Sequence, residues 1–97
     1  MRTKSTKGIL TVNDHANSSS VTLAFPITHD GRTIDSVTLR RPRVGDSLAA
    51  QRNAASPAEL EIQLMALLTG LPISAIELID MQDYTALQQA LKDLVTS

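Results

Sequence analysis

The sequence predicts an α+β fold, an N-terminal β-hairpin packed on a small C-terminal helical region with two principal helices. Apolar residues alternate from Val21 to Ile27 and again at Val37 and Leu39, the period of a strand. From Ser56 onward the period becomes helical, with Leu60, Leu64, Leu67 and Leu68 on one stripe and Tyr84, Leu87, Leu91 and Leu94 on another. Between the two regimes Pro42 lacks a backbone N–H and pushes Arg41 away from the α region, so the strand has to stop there. Gly45 then reads as a flexible joint, and the Asp46 side chain as the cap of a following helix.

A chain of 97 residues is one domain at most. With one Phe, one Tyr and no Trp, its core must come from Leu, Ile, Val, Ala and Met. The absence of Cys removes disulfides and thiolate metal sites. A net charge of −1 gives no broad electrostatic footprint for nucleic acid or membrane. Arg2, Lys4 and Lys7 are not followed by the apolar run of a signal peptide, and no apolar run approaches a membrane span. This composition reads as soluble and unexported.

Residues 1–20 read as a flexible tail, because Asn13 to Ser20 is a polar run with nothing to bury. Ile9-Leu10-Thr11-Val12 could form a short strand if it docks on a sheet edge. Residues 21–97 are read as one domain, beginning with a hairpin over 21–41 in which Val21, Leu23, Phe25 and Ile27 face one way. Pro26 belongs on an edge, since it cannot donate to a ladder. A two-residue Asp30-Gly31 loop would set Leu23 opposite Thr38 and Phe25 opposite Ser36. A three-residue loop, His29 to Gly31, sets Leu23 opposite Val37 and Val21 opposite Leu39. The second register joins apolar pairs and is preferred, although it leaves Ile34 on the other face.

A short helix is expected over about 47–54. Ser56-Pro57-Ala58-Glu59 then opens a helix over 57–69, with Ser56 as cap, Pro57 at the first helical position and Glu59 reaching back to the Ser56 N–H. Ile62 and Met65 widen its stripe, and Gly70, in the left-handed region with Pro72 beyond, ends it. Ser74 to Glu77 reads as a second capping box for a helix over about 75–79. Asp80 caps the last helix, over about 81–95, and Lys92 suits its final turn.

No constellation of reactive groups emerges, so no catalytic residue, metal site or cofactor is expected. His15 falls in the polar tail and His29 in a turn, without a third ligand at metal spacing. Glu59 and Glu61 lie too near in sequence to share a helix face, and Asp80 and Asp83 are explained by capping and first-turn placement. Arg40, Arg41 and Arg43 form a basic cluster that reads as a solvated strand edge or as partners of local carboxylates. A small DNA-binding or antitoxin-like regulator would use these arginines, but it would want further basic residues or stacking aromatics nearby. The stripe of Tyr84, Leu87, Leu91 and Leu94 reads as core first. A chain with so little sheet can nevertheless leave an apolar patch for a partner.

In order and spacing these segments resemble the small phage tail assembly chaperones of the Mu-like tail protein E family. The resemblance runs through Phe25-Pro26-Ile27, Asp30-Gly31-Arg32-Thr33, Val37-Thr38-Leu39-Arg40-Arg41-Pro42 and Val44-Gly45-Asp46. It continues through Leu67-Leu68-Thr69-Gly70-Leu71-Pro72, Ile79-Asp80, Asp83-Tyr84 and Leu87-Gln88. It covers about residues 21–94, and the long polar N-terminus departs from the family pattern. The resemblance implies a non-enzymatic protein of the bacterial host cytoplasm, absent from the mature virion, that coats the tape measure protein and keeps it soluble. It also implies a possible homo-oligomer and, as a further partner, a frameshifted longer form of which this chain would be the short version. On this reading Leu87, Leu91, Leu94, Arg40 and Arg43 are the candidate partner-binding residues. A structural tail or baseplate subunit that stays in the particle is the competing role.

Overall fold

The structure, a computed structural model, describes residues 17–96. The expected strand at Ile9–Val12, His15 and most of the expected tail lie outside the described residues. Strands β1 (Ser18–His29) and β2 (Arg32–Arg40) form a two-stranded antiparallel sheet, followed by helices α1 (Val44–Arg52), α2 (Pro57–Thr69), α3 (Ile73–Ile76) and α4 (Met81–Thr96). This is the expected α+β arrangement. Strand β1 begins at Ser18, so three serines that composition assigns to the tail are paired with Thr38, Leu39 and Arg40. No helix among the described residues is long and apolar enough to cross a membrane.

The hairpin register differs from the expected one. His29 pairs with Arg32, so the loop is the two-residue Asp30-Gly31, with φ of 53° and 76°. Positive φ at both central positions is the turn whose twist matches that of the strands. It does not waste the apolar face, because the register changes part-way along. Near the loop Ile27 stands opposite Ile34; beyond it Val21 stands opposite Val37 and Thr22 opposite Ser36. Between these stretches β1 runs from Leu23 to Pro26 while β2 advances only through Asp35, a wide bulge. Pro26 sits in the bulge, where a missing ladder donor costs nothing. The bulge lets Leu23, Ile27, Val37 and Leu39 all reach the core, and Ile34 packs against it too. Phe25, expected inside, is turned outward and is 52% exposed.

Helix α1 starts at Val44, before the expected position. Asp46 is therefore inside its first turn, with a carboxylate oxygen accepting the Arg43 N–H at 2.9 Å, and Gly45 is helical rather than a joint. Helix α2 has the expected bounds: Ser56 Oγ accepts the Glu59 N–H at 3.2 Å, and Gly70 ends it with φ of 73°. The Glu59 carboxylate takes the Ala55 N–H rather than that of Ser56. Helix α3 starts at Ile73, before the expected 75, with Pro72 at its N-cap; Ser74 is therefore inside the first turn and makes no capping box, and its hydroxyl is paired with His29. Asp80 caps α4 by accepting the Gln82 N–H at 2.9 Å.

One apolar cluster joins the sheet to the helices: Leu23, Ile27, Val37 and Leu39 meet Met65 and Leu68 of α2, Ala75 and Ile76 of α3, and Tyr84, Leu87, Ala90 and Leu94 of α4. Leu39, Met65, Leu87 and Leu94 are its largest fully enclosed members. Leu67, expected on the buried stripe of α2, is 40% exposed.

Candidate functional site

The apolar stripe of α4 is internal. Leu87 and Leu94 are buried and Leu91 packs against the core from a half-buried position. The face expected to meet a partner is instead covered by the protein's own hairpin, because α4 lies along β1. That removes Leu87 and Leu94 from the surface of the folded chain.

What holds α4 to the sheet is a residue whose role the sequence conceals. Asp83 is the buried acidic residue in the core, and its two carboxylate oxygens accept the N–H groups of Ala24 and Phe25, each at 2.9 Å. These are consecutive backbone donors of the bulge, outside the paired stretches of the two-stranded ladder. One signal of this lies in the spacing: Asp83 stands four residues before Leu87 and seven before Ala90, in line with the buried stripe. Alongside it the Tyr84 hydroxyl donates to Glu61 of α2 at 2.7 Å, and Gln88 donates to the same oxygen at 2.8 Å. Burial, then the Glu61 contact, pushes the Tyr84 hydroxyl well above the usual phenol range.

Arg40 and Arg43 come together where the strand gives way to α1. With Asn17, Arg41, Pro42 and Asp46 they line an open cleft of about 660 Å³. Arg40 grips Asp46 with both terminal nitrogens, at 2.8 and 2.7 Å, a two-point pair that fixes the guanidinium on the wall. Arg41 donates to the carbonyl of Leu94 at 2.6 Å and so ties the cleft to the end of α4. Arg43 is exposed.

The Arg40 hydrogen bonds, followed by the Arg43 N–H, lower the Asp46 carboxyl from 3.8 to about 2. A carboxyl held lower in the folded state than in the unfolded one stabilises the fold above the unfolded value. That contribution fades as the pH falls through the folded value. Denaturant unfolding measured between pH 5 and about pH 2 should therefore show stability falling with acid. The Asp46→Asn variant should lack this part of the slope.

His29 is placed differently from a solvated loop histidine. Its Nε2 and Ser74 Oγ lie 2.8 Å apart, and its Nδ1 lies 3.6 Å from Asp30. A Ser-His-Asp set in one region invites comparison with a nucleophilic triad. Here the acid is 88% exposed and beyond hydrogen-bond distance, and His29 lines neither the arginine cleft nor the smaller cleft beside Leu60. The Ser74–His29 pair instead ties the hairpin turn to α3. Among the described residues no group of three His, Cys, Asp or Glu side chains is placed to hold a metal ion.

The large apolar side chains exposed among the described residues belong to other positions: Phe25, Leu78 and Met81, Val44 and Leu48 of α1, Leu67 of α2 and Val95 of α4. The Phe25 backbone is held at the first turn of α4 by its N–H bond to Asp83. Alternation placed Phe25 inside, and only the bulge reverses it. Val44 and Leu48 are four apart, a pair that would be visible in the sequence once α1 is started early enough.

The family model described as phage tail assembly chaperone proteins, E, or 41 or 14, matches residues 20–96. No curated protein and no solved structure gives a significant match.

Proposed function

The chain belongs to the phage tail assembly chaperones, and from that premise we propose that it binds the tape measure protein and keeps it soluble while the tail is built. The family match across nearly all the described residues carries this reading. A long helical client aggregates unless its apolar stripe is covered, and a small protein covers it by laying apolar side chains against that stripe. Phe25, Leu78, Met81, Val44 and Leu48 are among the side chains available for that task, since the fold leaves them in solvent. Many copies bound weakly along one client form a coat that tube subunits can displace. The protein acts in the host cytoplasm, needs no cofactor and performs no reaction. Its copies, with a frameshifted longer form where one is made, share the client.

Co-expression with the tape measure protein of the same phage tests this. The client is expected in the soluble fraction, bound to this chain, and in the pellet when this chain is omitted. A client equally soluble in both cases would overturn the proposal.

A further inference from the structure

We propose that the open edge of β1 is closed by the chain's own residues 9–12, which fold back along it as a third antiparallel strand, with Thr11 opposite Ser18 and Ile9 opposite Ser20. The inference concerns the chain by itself and stands or falls apart from the tape measure reading.

The phase of the ladder locates that edge. Arg41 donates its N–H to the Asn17 carbonyl at 2.8 Å, and in an antiparallel pair the hydrogen-bonded positions alternate. Asn17, Ser19 and Val21 therefore turn their backbone groups towards β2, while Ser18, Ser20 and Thr22 turn theirs away from it. The hydroxyls of Ser20 and Thr38 lie 2.9 Å apart across the sheet, which fits this phase: side chains approach closest at the pairs without backbone hydrogen bonds. Ser18, Ser20 and Thr22 are exposed, and among the described residues no strand lies beyond β1. From Ser18 to Thr22 the strand carries neither a charged residue nor a proline, the devices that keep an open edge from pairing.

The chain before Asn17 identifies the occupant. Among its sixteen residues, Ile9-Leu10-Thr11-Val12 is the run of strand-forming types. Asn13-Asp14-His15-Ala16 separates it from Asn17, a connection of hairpin length whose Asn and Asp suit a turn. A segment tethered by four residues reaches the edge at far less entropic cost than a separate molecule. In this register Thr11 and Ile9 exchange backbone hydrogen bonds with Ser18 and Ser20. Leu10 comes to lie beside Ser19, which stands opposite the buried Leu39.

Amide hydrogen exchange of the full chain, followed residue by residue by NMR, tests this. The N–H groups of Ser18 and Ser20 should exchange at least about tenfold more slowly than in an unfolded chain, at a rate independent of protein concentration. Thr11→Pro removes the donor to the Ser18 carbonyl and should abolish that protection. The N–H groups of Val37 and Leu39, inside the β1–β2 ladder, should stay protected in the same variant. Thr11→Ala keeps the donor and should keep the protection. Free exchange at Ser18 and Ser20 in the wild type would overturn the inference. So would protection that survives Thr11→Pro, or protection that rises with protein concentration, which would assign the edge to a second copy.

Discussion

Asp83→Ala is expected to lower the unfolding free energy by about 3–6 kcal/mol, since two hydrogen bonds to a carboxylate are each worth about 1.5–3 kcal/mol. For a chain of this size that displaces the thermal midpoint by more than about 10 °C. The carboxylate accepts the Ala24 and Phe25 N–H groups at 2.9 Å, and alanine leaves both donors without a partner against the start of α4. Asp83→Asn should recover only part of the loss. One end of the amide accepts as before, while the other presents N–H to N–H. Calorimetry or urea unfolding of the three proteins measures the series, and a midpoint for Asp83→Ala within about 2 °C of the wild type would show that the bulge does not depend on this residue.

Leu87→Ala is expected to cost about 3–5 kcal/mol, the range for removing a buried leucine and leaving a cavity that cannot fully collapse. Leu87 is fully enclosed, with Leu39, Met65 and Leu94 the other large side chains sealed in the same core. The contrast with Val44→Ala is diagnostic. Val44 is 80% exposed, so its loss should leave stability within about 0.5 kcal/mol. Equal, small effects at both positions in urea unfolding would mean that the α4 stripe faces outward after all.

Much of this fold is legible in the sequence because local chemistry determines it. Ser56, Pro57 and Gly70 mark the ends of α2 as they stand in the structure, since a cap, a fixed φ and a left-handed residue act on their own neighbours. Alternation identifies Leu23, Ile27, Val37 and Leu39 as inward-facing for the same reason. The hairpin register is not legible this way. Turn preference favours the Asp30-Gly31 loop, whereas uniform apolar pairing favours a longer one. A bulge at Leu23 to Pro26 satisfies both demands.

The N–H groups of that bulge find their acceptors on a residue nearly sixty positions away, and no local pattern carries such a link. The candidate surface inherits the same difficulty. Once the hairpin covers α4, Leu87 and Leu94 become core and Phe25 becomes surface. The arginine cluster was visible from the start, but its closure around Asp46 depends on α1 beginning at Val44.

On the proposed function this chain attends the tape measure protein during assembly and then leaves. Quantitative mass spectrometry, comparing tape-measure complexes from infected cells before tube polymerisation with purified finished particles, tests it most directly. This chain is expected in several copies per tape measure protein in the early complexes and is expected to be absent from the particles. A constant ratio of the two proteins carried through into finished particles would contradict it and make the chain a permanent part of the tail.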